Sequence, residues 1–137
     1  MLRDELPRTY AVRVLIADDQ KSVGTTLAAL VTQCRHEVVE VVGSGLEAIQ
    51  AYTRHQPDVV LMDYSMPRLN GATACRMILA RYPNAQIIII SGLAVDREGA
   101  DSGAAAVLKK PVQLEALYAA LYSAGSPRPE SPPGITD

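Results

Sequence analysis

Residues with the potential for chemistry stand at four separated points of the chain, each at or just beyond the end of a short apolar run. They are Asp18 and Asp19, Asp63, Ser91 and Lys110. If folding brings the three carboxylates within a few ångströms, they cannot all remain ionised unless positive charge lies among them. The lysine supplies one charge, and all-oxygen ligation favours Mg²⁺ over zinc, which prefers His and Cys. A carboxylate in such a site can attack a phosphoryl donor, and a nearby hydroxyl can hydrogen-bond the transferred group.

The apolar runs alternate with segments that have the amphipathic spacing of helices. The runs predict strands over Val12–Ala17, Glu37–Val42, Asp58–Met62, Gln86–Ile90 and Ala105–Leu108, and Pro67 with Asn70-Gly71 marks the loop after the third. Strands that alternate with helices are typical of an α/β doubly wound fold with a parallel sheet. Of the strand orders that right-handed crossovers allow, 2-1-3-4-5 places strands one and three together at the switch point, where ligands bind. We therefore predict a five-stranded, flavodoxin-like three-layer sandwich that brings the chemical residues to one edge of the sheet.

The segment after the second strand carries a helix-start signal. Ser44-Gly-Leu-Glu47 has the pattern of a capping box, in which a hydroxyl and a carboxylate satisfy the first free amides of a helix. In the helix that follows, the spacing predicts an inward-facing stripe of Leu46, Ile49 and Tyr52.

Length and charge restrict the class of protein. The 137 residues suit one domain, and the formal charge of −2 without a basic run argues against direct nucleic-acid binding. No run approaches the roughly 20 apolar residues of a membrane span, and the charged N-terminus is unlike a signal peptide. Cys34 and Cys75 lack metal-site spacing. A cytoplasmic protein without a membrane partner is expected.

The chain divides by composition into three parts. We predict an N-terminal extension over residues 1–9, one domain over residues 10–124, and a disordered tail or linker over residues 125–137. The tail has four prolines in thirteen residues, which leaves too little apolar surface to offset ordering.

Each chemical residue also has an ordinary structural explanation when taken alone. Either Asp18 or Asp19 could cap the helix that follows, and Asp63 could be a turn former. Ser91 could be a loop residue and Lys110 a solvated lysine. The coincidence at four strand ends favours a shared site.

At these residues the sequence resembles the receiver domains of bacterial two-component systems, over roughly Ala11 to Ala124. The matching motifs are VLIADDQ, VVLMDYSMPRLNG, IIIISG and LKKP. The resemblance implies that Asp63 is the phosphoacceptor and that Asp19, Asp63 and the carbonyl of Ser65 bind Mg²⁺, with Asp18 acting through water. It also implies that Ser91 is the switch hydroxyl, that Lys110 binds the phosphoryl group, and that the Lys110-Pro111 bond is cis.

The chain departs from the family pattern at two places. The family usually has Phe or Tyr three residues before the lysine, where this chain has Val107. Only nineteen positions separate Ser91 from Lys110, about one helical turn fewer than is typical of the family. We therefore predict that the fourth helix, between strands four and five, is short or irregular, which puts the usual dimer in doubt and leaves the oligomeric state open.

The resemblance implies a signalling protein rather than a turnover enzyme. It would undergo Mg²⁺-dependent self-phosphorylation and slow autodephosphorylation, with a sensor histidine kinase or histidine phosphotransfer protein as donor. Its output would be a downstream protein or an appended output domain. The alternatives are a haloacid-dehalogenase-type phosphatase, a flavodoxin-like electron carrier, and a receiver-fold interaction module that works unphosphorylated.

Overall fold

One parallel sheet organises the chain. The computed structural model describes residues 11–92 and 101–125. Within them lie strands β1 (Arg13–Ala17), β2 (Glu37–Val42), β3 (Val59–Asp63), β4 (Ile87–Ser91) and β5 (Ala106–Lys109), and helices α1 (Lys21–Gln33), α2 (Gly45–His55), α3 (Gly71–Arg81) and α4 (Leu114–Gly125). The strands are all parallel and run in the order β2-β1-β3-β4-β5, which confirms the predicted order.

The core has two layers, one on each face of the sheet. Side chains of α2 and α3 pack on one face, and side chains of α1 and α4 pack on the other. Successive residues of β4 alternate between them: Ile87 and Ile89 face α2 and α3, whereas Ile88 and Ile90 face α1 and α4. Every residue of β4 is buried, because a central strand of a doubly wound sheet is covered on both faces. The three-layer sandwich predicted for the chain is confirmed.

The capping box predicted before α2 forms one of its two expected hydrogen bonds. The Ser44 hydroxyl accepts a hydrogen bond from the Glu47 amide at 3.1 Å. The Glu47 carboxylate, however, accepts from the amide of Gly43, one residue before the cap, at 2.9 Å. The pair therefore orders the loop between β2 and α2 as well as the start of the helix.

The inward stripe predicted for α2 is wrong at its first position. Leu46 is 58% exposed, whereas Tyr52 is buried and Ile49 is half-buried. Ala48 and Ala51 are fully buried instead. The small side chains of Ala48 and Ala51 let the helix lie close to its neighbours, so its contact face contains these residues and Tyr52 but not Leu46.

Several predictions fall outside the described residues. The short or irregular helix predicted between β4 and β5 falls mainly on residues 93–100, and the predicted N-terminal extension falls on residues 1–9. The predicted tail also lies outside, apart from Gly125, which ends α4. Within the described residues, no helix combines the length and apolar character needed to cross a bilayer.

Candidate functional site

Three acidic side chains meet at the carboxyl ends of β1 and β3. Asp18 and Asp19 directly follow β1, and Asp63 is the last residue of β3, which pairs with β1. One oxygen from each carboxylate lies within 4.8 Å of those of the other two. Asp18 and Asp63 are only 2% and 3% exposed, whereas Asp19 is exposed. The sheet topology thus joins residues that are about 45 positions apart in the chain.

Asp18 is held by one hydrogen bond of its backbone and one of its side chain. Its amide donates to the Val42 carbonyl at 3.0 Å, and its Oδ1 accepts from the Gln20 amide at 2.8 Å. The N-cap of α1 is Gln20, which makes no side-chain cap, so neither aspartate is the helix cap that was the simpler alternative. Because Oδ1 accepts the hydrogen bond from Gln20, the second oxygen, Oδ2, faces the other acids and Lys110.

Lys110, the residue directly after β5, contacts two of the acids. Its Nζ lies 3.0 Å from Asp63 Oδ1 and 3.7 Å from Asp18 Oδ2. Its backbone amide donates to the Ser91 carbonyl at 2.9 Å, which ties the residue after β5 to the end of β4. Lys109, the adjacent lysine, is exposed. The Lys110-Pro111 peptide bond is cis, which confirms that prediction.

The two remaining predicted residues differ in placement. Ser91 is 2% exposed at the end of β4, the strand beside β3. Ser65 lies in the loop after Asp63 with an exposed side chain. Within the described part of the chain, no side-chain hydrogen bond or ion pair joins Ser65 to the carboxylates. The structure therefore brings the carboxylates of Asp18, Asp19 and Asp63 within 4.8 Å of one another and places Lys110 within ion-pair distance of Asp18 and Asp63.

The electrostatics of the site are those of a buried charge cluster. Burial raises the pKa of Asp63, and the negative charges of Asp18 and Asp19 raise it further, against the opposing effect of Lys110. Burial alone lowers the pKa of Lys110, but the carboxylates of Asp63 and Asp18 outweigh it, so the net shift is upward. The ammonium therefore stays charged, and the site holds more negative than positive charge whenever the three acids are ionised.

The oxygen atoms present fit a divalent cation of the Mg²⁺ type. Asp18 Oδ2 and Asp63 Oδ1 are buried and have no hydrogen-bond partner in the described residues. The Lys110 ammonium lies 3.0 Å from Asp63 Oδ1, where it opposes the rise in the pKa of Asp63, and 3.7 Å from Asp18 Oδ2, and each oxygen still has a lone pair available for a cation. The group contains only carboxylates, which favours Mg²⁺ over zinc.

One neighbour of Asp63 was absent from the predicted site. Gly71, the first residue of α3, lies against the backbone of Asp63. The sequence signal was the Asn70-Gly71 pair, which we interpreted only as a loop marker.

The sequence is similar to those of known proteins. The chain matches the profile of the response regulator receiver domain over residues 14–122. It is 36% identical over 112 residues to the chemotaxis protein CheY of Thermotoga maritima, covering 80% of this chain and 93% of CheY. It is 35% identical over 118 residues to the transcriptional regulatory protein PdtaR of Mycobacterium tuberculosis, covering 83% of this chain and 57% of PdtaR.

The fold is also similar to that of a solved structure. A chain in the crystal structure of the CheX–CheY–BeF3–Mg²⁺ complex from Borrelia burgdorferi matches with a TM-score of 0.76 and 27% identity. The match covers 81% of this chain and 87% of that chain. The profile match spans most of the sequence and includes every residue of the acidic cluster and Lys110. This chain therefore belongs to the response regulator receiver domain family of two-component systems.

Proposed function

We propose that this chain accepts a phosphoryl group on Asp63 from a phosphohistidine donor, with Mg²⁺, and so switches a protein–protein interaction surface. The observation that carries the proposal is the contact of Lys110 with Asp63 inside a cluster of three acids. A structural ion pair needs one acid and one base. Three acids and one lysine leave excess negative charge, which suits a site that receives a cation and an anionic group.

The residues of the chain would divide the chemistry among them. A carboxylate oxygen of Asp63 attacks phosphorus, an acyl phosphate bond forms, and the bond from phosphorus to the donor imidazole nitrogen breaks with its electron pair left on that nitrogen. Lys110 offsets the charge of the transferred oxygens, and Ser91 donates a hydrogen bond to one of them once the group is in place.

The metal would be held by Asp19, Asp63 and the carbonyl of Ser65, with Asp18 acting through water. When bound, Mg²⁺ neutralises carboxylate charge and the charge on the phosphoryl oxygens. Asp18 and Asp63 each offer a buried carboxylate oxygen here, which supports a cation site at these residues.

The proposed partners follow from this chemistry. The donor would be a sensor histidine kinase or histidine phosphotransfer protein, and the receiver would act in the cytoplasm on a downstream protein or an appended output domain. A new dianionic group would draw Ser91 and Lys110 together, and the ends of β4 and β5 are already linked through the backbone hydrogen bond between these residues.

A receiver-fold interaction module that works unphosphorylated is the second candidate. It is favoured by Val107, a small side chain that is 40% exposed on β5, where the family usually carries an aromatic ring. Family membership favours neither the phosphatase nor the electron carrier.

Mass spectrometry after incubation with acetyl phosphate and Mg²⁺ tests the proposal. We expect the mass of one added phosphoryl group on the wild type, none on Asp63→Asn, and an unchanged result for Lys109→Met. Equal labelling of Asp63→Asn would refute the assignment of the acceptor. No labelling of the wild type, by acetyl phosphate or by any phosphohistidine donor tested, would favour the unphosphorylated module.

A further inference from the structure

The first residue of α3 lies against the peptide group that carries the proposed phosphoacceptor. A β-carbon built on Gly71 would lie 2.4 Å from the carbonyl oxygen of Asp63 and 2.9 Å from the Cα of Tyr64. Side chains do not tolerate such distances from backbone atoms. Glycine therefore lets the helix approach the end of β3 more closely than any other residue could.

Neither side of this contact can move freely. The Tyr64 amide donates to the Ile90 carbonyl at 2.8 Å, and Asp63 pairs with Ile90 in the sheet, so the strand end is fixed to β4. On the other side, α3 buries Ala72 and Cys75 completely in the core. A side chain at position 71 would have to displace either the strand end or the packed helix.

Two hydrogen bonds hold the start of α3 in place. The Gly71 amide donates to the Tyr64 carbonyl at 2.8 Å, which closes the loop that contains Ser65. The side chain of Asn70 accepts from the Thr73 amide at 2.9 Å and caps the helix. The first turn of α3 is thus tied to Tyr64, the residue after Asp63, by a close contact and a backbone hydrogen bond, and the cap at Asn70 orders the turn itself.

We propose that Gly71 is a positioning residue for phosphoryl acceptance: its missing side chain lets α3 set the position of Asp63 relative to Asp18 and Lys110. The inference rests on the proposed function. The carboxylate of Asp63 must keep a 3.0 Å contact with Lys110 and stay within 4.8 Å of the other acids. A misplacement of about 1 Å reduces rates by roughly 100-fold, so a shift of the strand end by part of that distance is measurable.

The test compares Gly71→Ala with Gly45→Ala, a closely matched control. Gly45 is also buried, also begins a helix after a capping residue, and a β-carbon there would lie 2.8 Å from a backbone oxygen, that of Leu69. Both variants should lose stability, but only Gly71 contacts Asp63. Under conditions where circular dichroism shows all proteins folded, we expect Gly71→Ala to slow phosphorylation by acetyl phosphate at least about tenfold and to weaken Mg²⁺ binding several-fold. Gly45→Ala acts on the loop at Leu69 and not on Asp63, so it should change both quantities clearly less than Gly71→Ala does, by no more than about threefold. Equal slowing of the two variants, or wild-type behaviour of Gly71→Ala, would overturn the inference.

A second pair keeps the test decisive if Gly71→Ala does not fold. Asn70→Ala removes the cap of α3 without adding a β-carbon at position 71, and Ser44→Ala removes the equivalent cap of α2. We expect slower phosphorylation, by about twofold to fivefold, for Asn70→Ala alone. Equal rates for the two cap variants would count against the inference.

An NMR measurement separates this inference from the proposed function. In Gly71→Ala, or in Asn70→Ala if needed, the amide resonances of Ser91 and Lys110 should shift without donor or metal. In the matching α2 variant, Gly45→Ala or Ser44→Ala, they should not. If the wild type accepts no phosphoryl group, the proposed function fails. The amide shifts would then still support a positioning contact at Asp63, and their absence would refute it.

Discussion

Replacing Lys110 with methionine should destabilise the metal-free protein by about 2–4 kcal/mol at neutral pH. The ammonium lies 3.0 Å from Asp63 Oδ1 and 3.7 Å from Asp18 Oδ2. With an effective dielectric constant of about 20, these distances correspond to attractions of about 5.5 and about 4.5 kcal/mol. The loss of hydration of a lysine side chain that is only 27% exposed offsets part of this attraction.

The negative charge that remains after the substitution explains why the loss of stability should be large. Methionine keeps much of the length and apolar packing of lysine, but it leaves Asp18 and Asp63 buried together without a cation. Carboxylate oxygens 4.8 Å apart or closer repel each other by at least about 3.5 kcal/mol in the same medium. Adding Mg²⁺ should restore much of the lost stability, and so should a second substitution, Asp63→Asn, which removes one of the two charges.

Urea unfolding followed by circular dichroism provides the assay, since the chain has no tryptophan. Lys109→Met is the control: its side chain is exposed one residue away, and its effect should stay within about 0.5 kcal/mol. A double-mutant cycle between Lys110→Met and Asp63→Asn should give a coupling energy of about 1–3 kcal/mol. A coupling energy near zero, or equal stability of the two lysine variants, would refute the electrostatic reasoning.

Three further predictions concern parts of the fold away from the acids. His36 accepts a hydrogen bond from the Val12 amide through Nδ1 at 3.0 Å, and burial lowers its pKa, so the folded state needs the neutral ring. Because the unfolded chain binds the proton more tightly, the stability contributed by the neutral ring should be complete above about pH 6.5 and be lost as the pH falls through the folded pKa. Urea unfolding at about pH 7.5 and about pH 5.5 should show a smaller drop in the free energy of unfolding for His36→Gln than for the wild type. Arg13 donates from its guanidinium to the carbonyl of His55, the last residue of α2, at 2.9 Å and to that of the next residue, Gln56, at 3.2 Å, so Arg13→Met should lower the free energy of unfolding by about 1–2 kcal/mol in the same assay. Leu46→Ala should change that free energy by no more than about 0.5 kcal/mol, whereas the fully buried Leu121→Ala should lower it by about 2–5 kcal/mol.

The strand order was predictable because local pattern and topology agree. Aliphatic runs such as Ile87–Ile90 mark strands that are covered on both faces, and few arrangements of parallel strands satisfy right-handed crossovers. The strand ends differ from prediction by one residue at β3, β4 and β5. Asp63, Ser91 and Lys109 still pair with neighbouring strands, although their polarity suggested that the strands had already ended.

The face of a short element was harder to predict than its type. In β2, the pairing with β1 passes from Val38 opposite Val14 to Glu40 opposite Leu15, so Val39 is an additional residue. This bulge places Glu40 on the α2 side of the sheet. There its carboxylate contacts Arg54 at 2.7 Å and His55 at 2.8 Å, and these contacts lower its pKa. A run of valines and glutamates has no local signal for the position of the bulge, since pairing with β1 decides it.

Glycine shows most clearly where local reasoning ends. Ser44-Gly45 and Asn70-Gly71 have the same pattern of a capping residue followed by glycine, and both start helices as that pattern allows. The partners that exclude a side chain nevertheless differ, because α2 lies against the loop at Leu69 and α3 lies against the end of β3. The position of each helix over the sheet depends on the size of its buried residues and on the loop before it, which are properties of the assembled core. The sequence can therefore predict which polar residue ends a strand at the site. The residues that position that side chain can be identified only from the packing of the neighbouring helix.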